Sequence, residues 1–171
     1  MTRSMRMISG VLAAAALTAV AAKVTADDGV RTVQIRDDCD PATFDAAIGP
    51  KTCVGDGDTT FADFLAELTA TQVAEKWRFN PSSTNDTSLV ARNRGGETHT
   101  FTPVAKFGGG VVPLLNTLSG NPVEAAECAD PAQFGPSVLG PGERSKKTIT
   151  AKPGDHFQCC IHPWMRLTVT K

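Results

Sequence analysis

The sequence predicts a mostly β protein, an antiparallel β-sandwich preceded by an N-terminal helical extension, and three observations carry that expectation. From Trp77 onward apolar and polar residues alternate, Trp77 and Phe79 against Arg78 and Asn80, which is the pattern of a strand buried on one face. Turn-forming residues then recur at intervals of about eight to twelve positions, the spacing of short strands in an antiparallel sandwich. Before Trp77 the period is helical instead: Phe61, Phe64, Leu65, Leu68 and Val73 share one face, and that face must be buried on something.

Taken in order, residues 1–26 read as a secretory signal peptide. Arg3 and Arg6 precede an apolar run over 8–22, and Val24-Thr25-Ala26 offers small residues for cleavage. The run is short and alanine-rich for a membrane span, so the mature chain is expected to have no membrane span and to be secreted or periplasmic. Retention of the segment as an anchor stays open. Residues 27–76 form the extension. Val33 and Ile35 alternate in a short strand over 31–37, and a helical piece over 42–48 ends at Gly49-Pro50. Gly55-Asp56-Gly57-Asp58 lacks the bidentate Glu and ligand spacing of a calcium loop and is a solvated acidic turn. Thr60-x-x-Asp63 caps a helix reaching about residue 75.

Residues 77–171 make the sandwich, with strands over 88–92, 98–104, 147–151 and 156–159 and a last one carrying Leu167 and Val169. Between them, 111–142 holds five prolines and is expected to be irregular, with one helical turn near 123–128; a loop this long is usually functional. Phe107-Gly108-Gly109-Gly110 has no following Lys-Ser/Thr, so it is no phosphate loop; its glycines let the backbone pass close to the site described next.

Charge excludes one class of partner. The chain carries 17 basic and 18 acidic residues, and without 1–26 it carries 14 and 18. A mildly acidic protein lacks the clustered cations that nucleic acid requires.

The chemistry gathers in Cys159-Cys160-Ile161-His162-Pro163-Trp164-Met165, where a thiol, an imidazole and a thioether recur at three-residue intervals. Cys and His in a roughly trigonal plane, with Met as a weak axial ligand, suit copper in both oxidation states. The set lacks a second nitrogen. His99, in Gly95-Gly96-Glu97-Thr98-His99-Thr100, is the candidate; His156 lies on the strand entering the loop and is read as structural or exposed.

This C-x-x-H-x-x-M loop, followed by Arg166-Leu167-Thr168-Val169 and preceded by Asn93 to His99, resembles that of the cupredoxins, the blue copper proteins that include amicyanin and plastocyanin. The resemblance spans about residues 77–171. It implies a Greek-key sandwich, one type 1 copper ion held by His99, Cys159, His162 and Met165, and electron transfer between redox protein partners by a monomer. It implies, too, that His162 is the exposed edge through which electrons pass; Trp164, by its own chemistry, reads as core filling or as an apolar landing surface for a partner. Where the family typically has Asn after its first His ligand, this chain has Thr100. With three His in all, the chain cannot add the His-rich centre of a copper oxidase, so it is expected not to be an enzyme. A non-redox copper-binding or delivery module is the alternative; a zinc site would make little use of Met165.

Five cysteines in an oxidising compartment leave one unpaired. With Cys159 as ligand, Cys39 pairs with Cys53 across Pro50, and Cys128 is left to Cys160. Exchange of Cys160 for Cys159, or a vicinal disulfide between them, is not excluded by the sequence. The extension is expected to pack on the sandwich or to be presented to a partner, and one hypothesis docks it on the sandwich away from the copper loop.

Overall fold

The computed structural model describes residues 29–171, so the expected signal segment lies outside the described residues. In chain order these contain β1 (Arg31–Arg36), α1 (Pro41–Ala47), α2 (Phe61–Thr71), β2 (Arg78–Asn80), β3 (Ser83–Thr84) and β4 (Ser88–Asn93). There follow β5 (His99–Thr100), β6 (Thr102–Val104), α3 (Pro113–Leu118), α4 (Ala126–Ala129) and α5 (Pro131–Phe134). The chain closes with β7 (Val138–Leu139), β8 (Ile149–Thr150), β9 (His156–Gln158) and β10 (Arg166–Val169). None of the described helices is long and apolar enough to cross a membrane.

Two four-stranded sheets, in the orders β2-β1-β4-β8 and β3-β10-β9-β6, are joined by a two-stranded piece, β5-β7. The fold is mostly β and compatible with a sandwich. It departs from the expected antiparallel pattern, because β1 runs parallel to β4 and β3 parallel to β10. Parallel neighbours need a connection of a dozen or more residues. The stretch holding α1, α2, β2 and β3 supplies it between β1 and β4.

One main core lies among these elements. Val33 and Ile35 of β1 and Leu89 and Ala91 of β4 contribute from one sheet; Phe157 of β9 and Leu167 and Val169 of β10 contribute from the other. Alternation explains the choice, since side chains two apart point the same way. Phe101 stacks on Phe157 with centroids 4.6 Å apart. Phe44 of α1 and Phe64 and Leu68 of α2 enter the same core, packing around Trp77.

The two helices of the 27–76 block are capped as their residues dictate. Asp40 accepts from the Ala42 N–H ahead of Pro41, and the Thr60 hydroxyl accepts from the Asp63 N–H. Helix α2 ends at Thr71, short of the expected residue 75, because Gln72 takes a left-handed conformation with φ 63°. Val73 is consequently off the helical face and exposed.

Residues 111–142 are more ordered than their prolines suggested. Three of the prolines begin short helical segments: Pro113 opens α3, Pro131 opens α5 and Pro136 lies in the turn of 3₁₀ helix Gly135–Ser137. Strand β7 pairs with β5, setting Leu139 opposite His99. Cys128 on α4 is disulfide-bonded to Cys160, and Cys39 to Cys53. Both expected pairs are present, and Cys159 is the free thiol.

Candidate metal centre

His99 stands on β5, a two-residue strand held by β7 on one side. The turn leading into it is fixed by Asn93, whose amide donates to the carbonyls of Glu97 and Leu139 while its oxygen accepts from the Gly95 N–H. Cys159 follows directly on β9. The loop then folds back on itself: Cys159 N–H donates to the Met165 carbonyl at 3.0 Å, and Met165 N–H to the His162 carbonyl at 2.9 Å. Thr100 steadies it from β5. Its hydroxyl accepts from the Cys160 N–H at 2.8 Å, and its own N–H points at the Cys159 sulfur at 3.4 Å. At the opposite wall, Gly110 passes so close that an added Cβ would lie 2.0 Å from the Cys160 oxygen, and Val111 N–H donates to that same oxygen.

These elements bring three donor atoms to one point. Nδ1 of His99 and Nδ1 of His162 each lie 3.8 Å from Cys159 Sγ, and the two nitrogens lie 3.2 Å apart. Such separations are those of three donors around one cation, with metal–nitrogen distances of about 2.0–2.1 Å and metal–sulfur of about 2.3 Å. The donor set therefore fits a transition-metal ion. Met165 is fully buried in the same core cluster as Cys159. His156 is outside the group: it is half-buried against Phe107, with centroids 4.5 Å apart.

Two carboxylates that the sequence reading did not single out complete the surroundings. Asp37, just past the end of β1, accepts from His99 Nε2 at 2.7 Å. Glu97 lies 3.7 Å from His162 Nε2 and accepts from the indole N–H of Trp77. Glu97 sits inside the quoted segment before His99, so its proximity was a usable signal. Asp37 had none: it is one of an acidic pair at a strand end, and only the fold carries it to His99.

Burial and these partners set the charges when a proton occupies the place of a metal. Burial pushes the Cys159 thiol up, but hydrogen bonds and charge from His162 and His99 outweigh it and hold the thiol well below its ordinary range. Burial likewise pushes His99 down, while Asp37 and Cys159 raise it to about 10. Desolvation of Asp37 is outweighed by His99 and by the N–H groups of Gly96 and Glu97, leaving it lowered. Glu97 goes the other way, raised by burial despite His162 and Trp77. The two imidazoles thus favour the thiolate, the form of Cys159 that a metal binds.

A second grouping, Asp37, Cys39 and Glu97, offers no such set, since the Cys39 sulfur is committed to its disulfide. The helical extension does not sit away from the loop as hypothesised. Phe64 of α2 meets the His162 ring edge-on, with centroids 6.5 Å apart, and Trp164 covers it from another side. His162 is therefore 3 % exposed, in contrast to the exposed edge that the resemblance implied. Its ring reaches the floor of a mostly apolar recess of about 460 Å³, walled by Phe44, Phe61, Phe64, Leu115 and Ile161.

No protein-family model, curated protein or solved structure matches this chain, so the likeness to the cupredoxins rests on the residues of the loop and of the His99 segment.

Proposed function

We propose that this chain is a cupredoxin-type protein with a Greek-key sandwich, exported from the cytoplasm, that binds one copper ion through His99, Cys159, His162 and Met165 and carries single electrons between redox protein partners. The observation that carries this reading is the buried triangle of two Nδ1 atoms and the Cys159 sulfur at 3.2–3.8 Å. Copper bound there would supply a centre that accepts and releases one electron. The rest is done by the chain. Soft sulfur and borderline imidazole together serve both oxidation states, and a packed, hydrogen-bonded loop holds them in one arrangement. His99 and Cys159 are fully buried, which shields these two donors from bulk water. Exchange then proceeds through the His162 ring, which lines the recess and has the Trp164 ring packed against it.

The test is an absorption and electron paramagnetic resonance spectrum of the protein with one equivalent of copper(II), alongside Cys159→Ser and Cys160→Ser. An intense thiolate-to-copper band that bleaches reversibly on reduction and disappears in Cys159→Ser is the expected result. Copper uptake without that band would replace electron transfer by copper delivery.

A further inference from the structure

We propose that Asp37 is the positioning residue of this centre, holding the outward nitrogen of His99 so that its Nδ1 stays aimed at Cys159, and that Asp37 and Glu97, which stands beside the outward nitrogen of His162, together bias the centre toward its oxidised state. The proposal rests on the metal reading above and extends it to residues outside the C-terminal loop.

The geometry is reciprocal. An imidazole that binds a metal through Nδ1 carries its proton on Nε2, and a carboxylate accepting that proton fixes the ring's tautomer and orientation and makes it a better donor. Asp37 meets this requirement for His99 with a hydrogen bond of 2.7 Å. Asp37 is itself immobilised: the Gly96 N–H donates to Oδ1 at 2.8 Å and the Glu97 N–H to Oδ2 at 3.1 Å. The glycine pair makes this approach possible. A Cβ on Gly95 would stand 1.9 Å from Asp37 Oδ2, and one on Gly96 would press on Val54 O and Cys39 Sγ. Glu97 faces His162 Nε2 at 3.7 Å, longer than a hydrogen bond, and its donor is the Trp77 indole.

Two acidic groups beside one buried centre also act through their charge. Both side chains are largely shielded from water, 1 % and 8 % exposed, where charges interact more strongly than in solvent. Negative charge favours the more positive state of a bound ion, so it lowers the reduction potential. Asp37, hydrogen-bonded to its ligand, acts mainly on metal affinity. Glu97, beside its ligand without a hydrogen bond to it, acts mainly on potential. Asp37 belongs to the N-terminal block and lies 62 residues before His99, so that block is a part of the centre.

The experiment compares the full chain with Asp37→Asn, Glu97→Gln and the charge-keeping Glu97→Asp. Copper reduction potential and cobalt(II) affinity are measured, with circular dichroism as a check on folding. Asp37→Asn is expected to weaken cobalt(II) tenfold to a hundredfold. Glu97→Gln is expected to cost copper(II) about tenfold relative to copper(I), a rise of about 59 mV for one electron, while Glu97→Asp stays near the unsubstituted protein. A purely structural role would not separate Gln from Asp. In the zinc-loaded unsubstituted protein, nitrogen-15 spectra should place the proton of both rings on Nε2, a reading that needs no variant to fold. Folded variants with unchanged affinity and potential overturn the proposal while leaving the copper centre standing, whereas a proton on Nδ1 of either ring overturns the Nδ1 ligation on which both readings rest. A protein that takes up neither copper nor cobalt overturns both.

Discussion

Gly110 shows how tightly single residues are constrained around the loop. Its backbone angles suit any residue, so the constraint is purely steric: a methyl group would collide with the Cys160 carbonyl, which the Val111 N–H already holds at 2.7 Å. Gly110→Ala must move the Cys160 peptide or the 108–111 segment, and overpacking of this kind costs about 1–3 kcal/mol. Urea denaturation should read that loss. Thr100 plays a comparable part from the other side, its hydroxyl oxygen accepting from the Cys160 N–H. Where the resembled family typically has an amide side chain, a hydroxyl here performs a steadying contact to the residue next to the thiolate.

At the scale of elements, the Cys39–Cys53 disulfide joins the end of β1 to the segment before α2, closing a loop with a sequence separation of 14. It packs directly under the turn that aligns Asp37 with His99, for Gly96 lies against both of its sulfurs. Replacing both cysteines by alanine removes a constraint worth about 3 kcal/mol for a loop of this length. The melting temperature should fall, and metal affinity should fall with it because the Asp37 cradle loosens. Loss of stability with metal affinity intact would show that the clip serves the fold alone. Helix α2 works at the same scale. Its Phe64 lies over His162 and also against Trp77 and Trp164, so one helical face shields the metal ligand and completes the core.

For the whole molecule, stability in acid is tied to the same N-terminal block. Burial pushes Asp38 up, but Lys76 and Thr59 outweigh it, and its carboxyl drops from 3.8 to about 2. A carboxylate lowered on folding stabilises the protein above its unfolded value, and that contribution disappears as pH falls through its folded value. Thermal stability should therefore drop between about pH 4 and pH 2, and Lys76→Met should flatten part of the drop. Screening by solvent keeps the effect modest, since the Lys76 side chain is half exposed. A melting curve measured across this range in both proteins decides the matter.

What the sequence determined by itself was local. The intervals within 159–165 and the alternation around Trp77 are written in neighbouring residues, as are the Thr60 cap and the odd cysteine, so donor types, strands and helix starts were legible without coordinates. What only the tertiary structure decided was the order of the strands and which side chains surround the metal ligands. That β1 lies between β2 and β4 and parallel to β4, that α2 covers His162, and that Asp37 reaches His99 are results of chain crossover and shared burial. Such contacts leave no periodic mark, because a single carboxylate at a strand end looks the same in sequence whether it meets water or a buried imidazole.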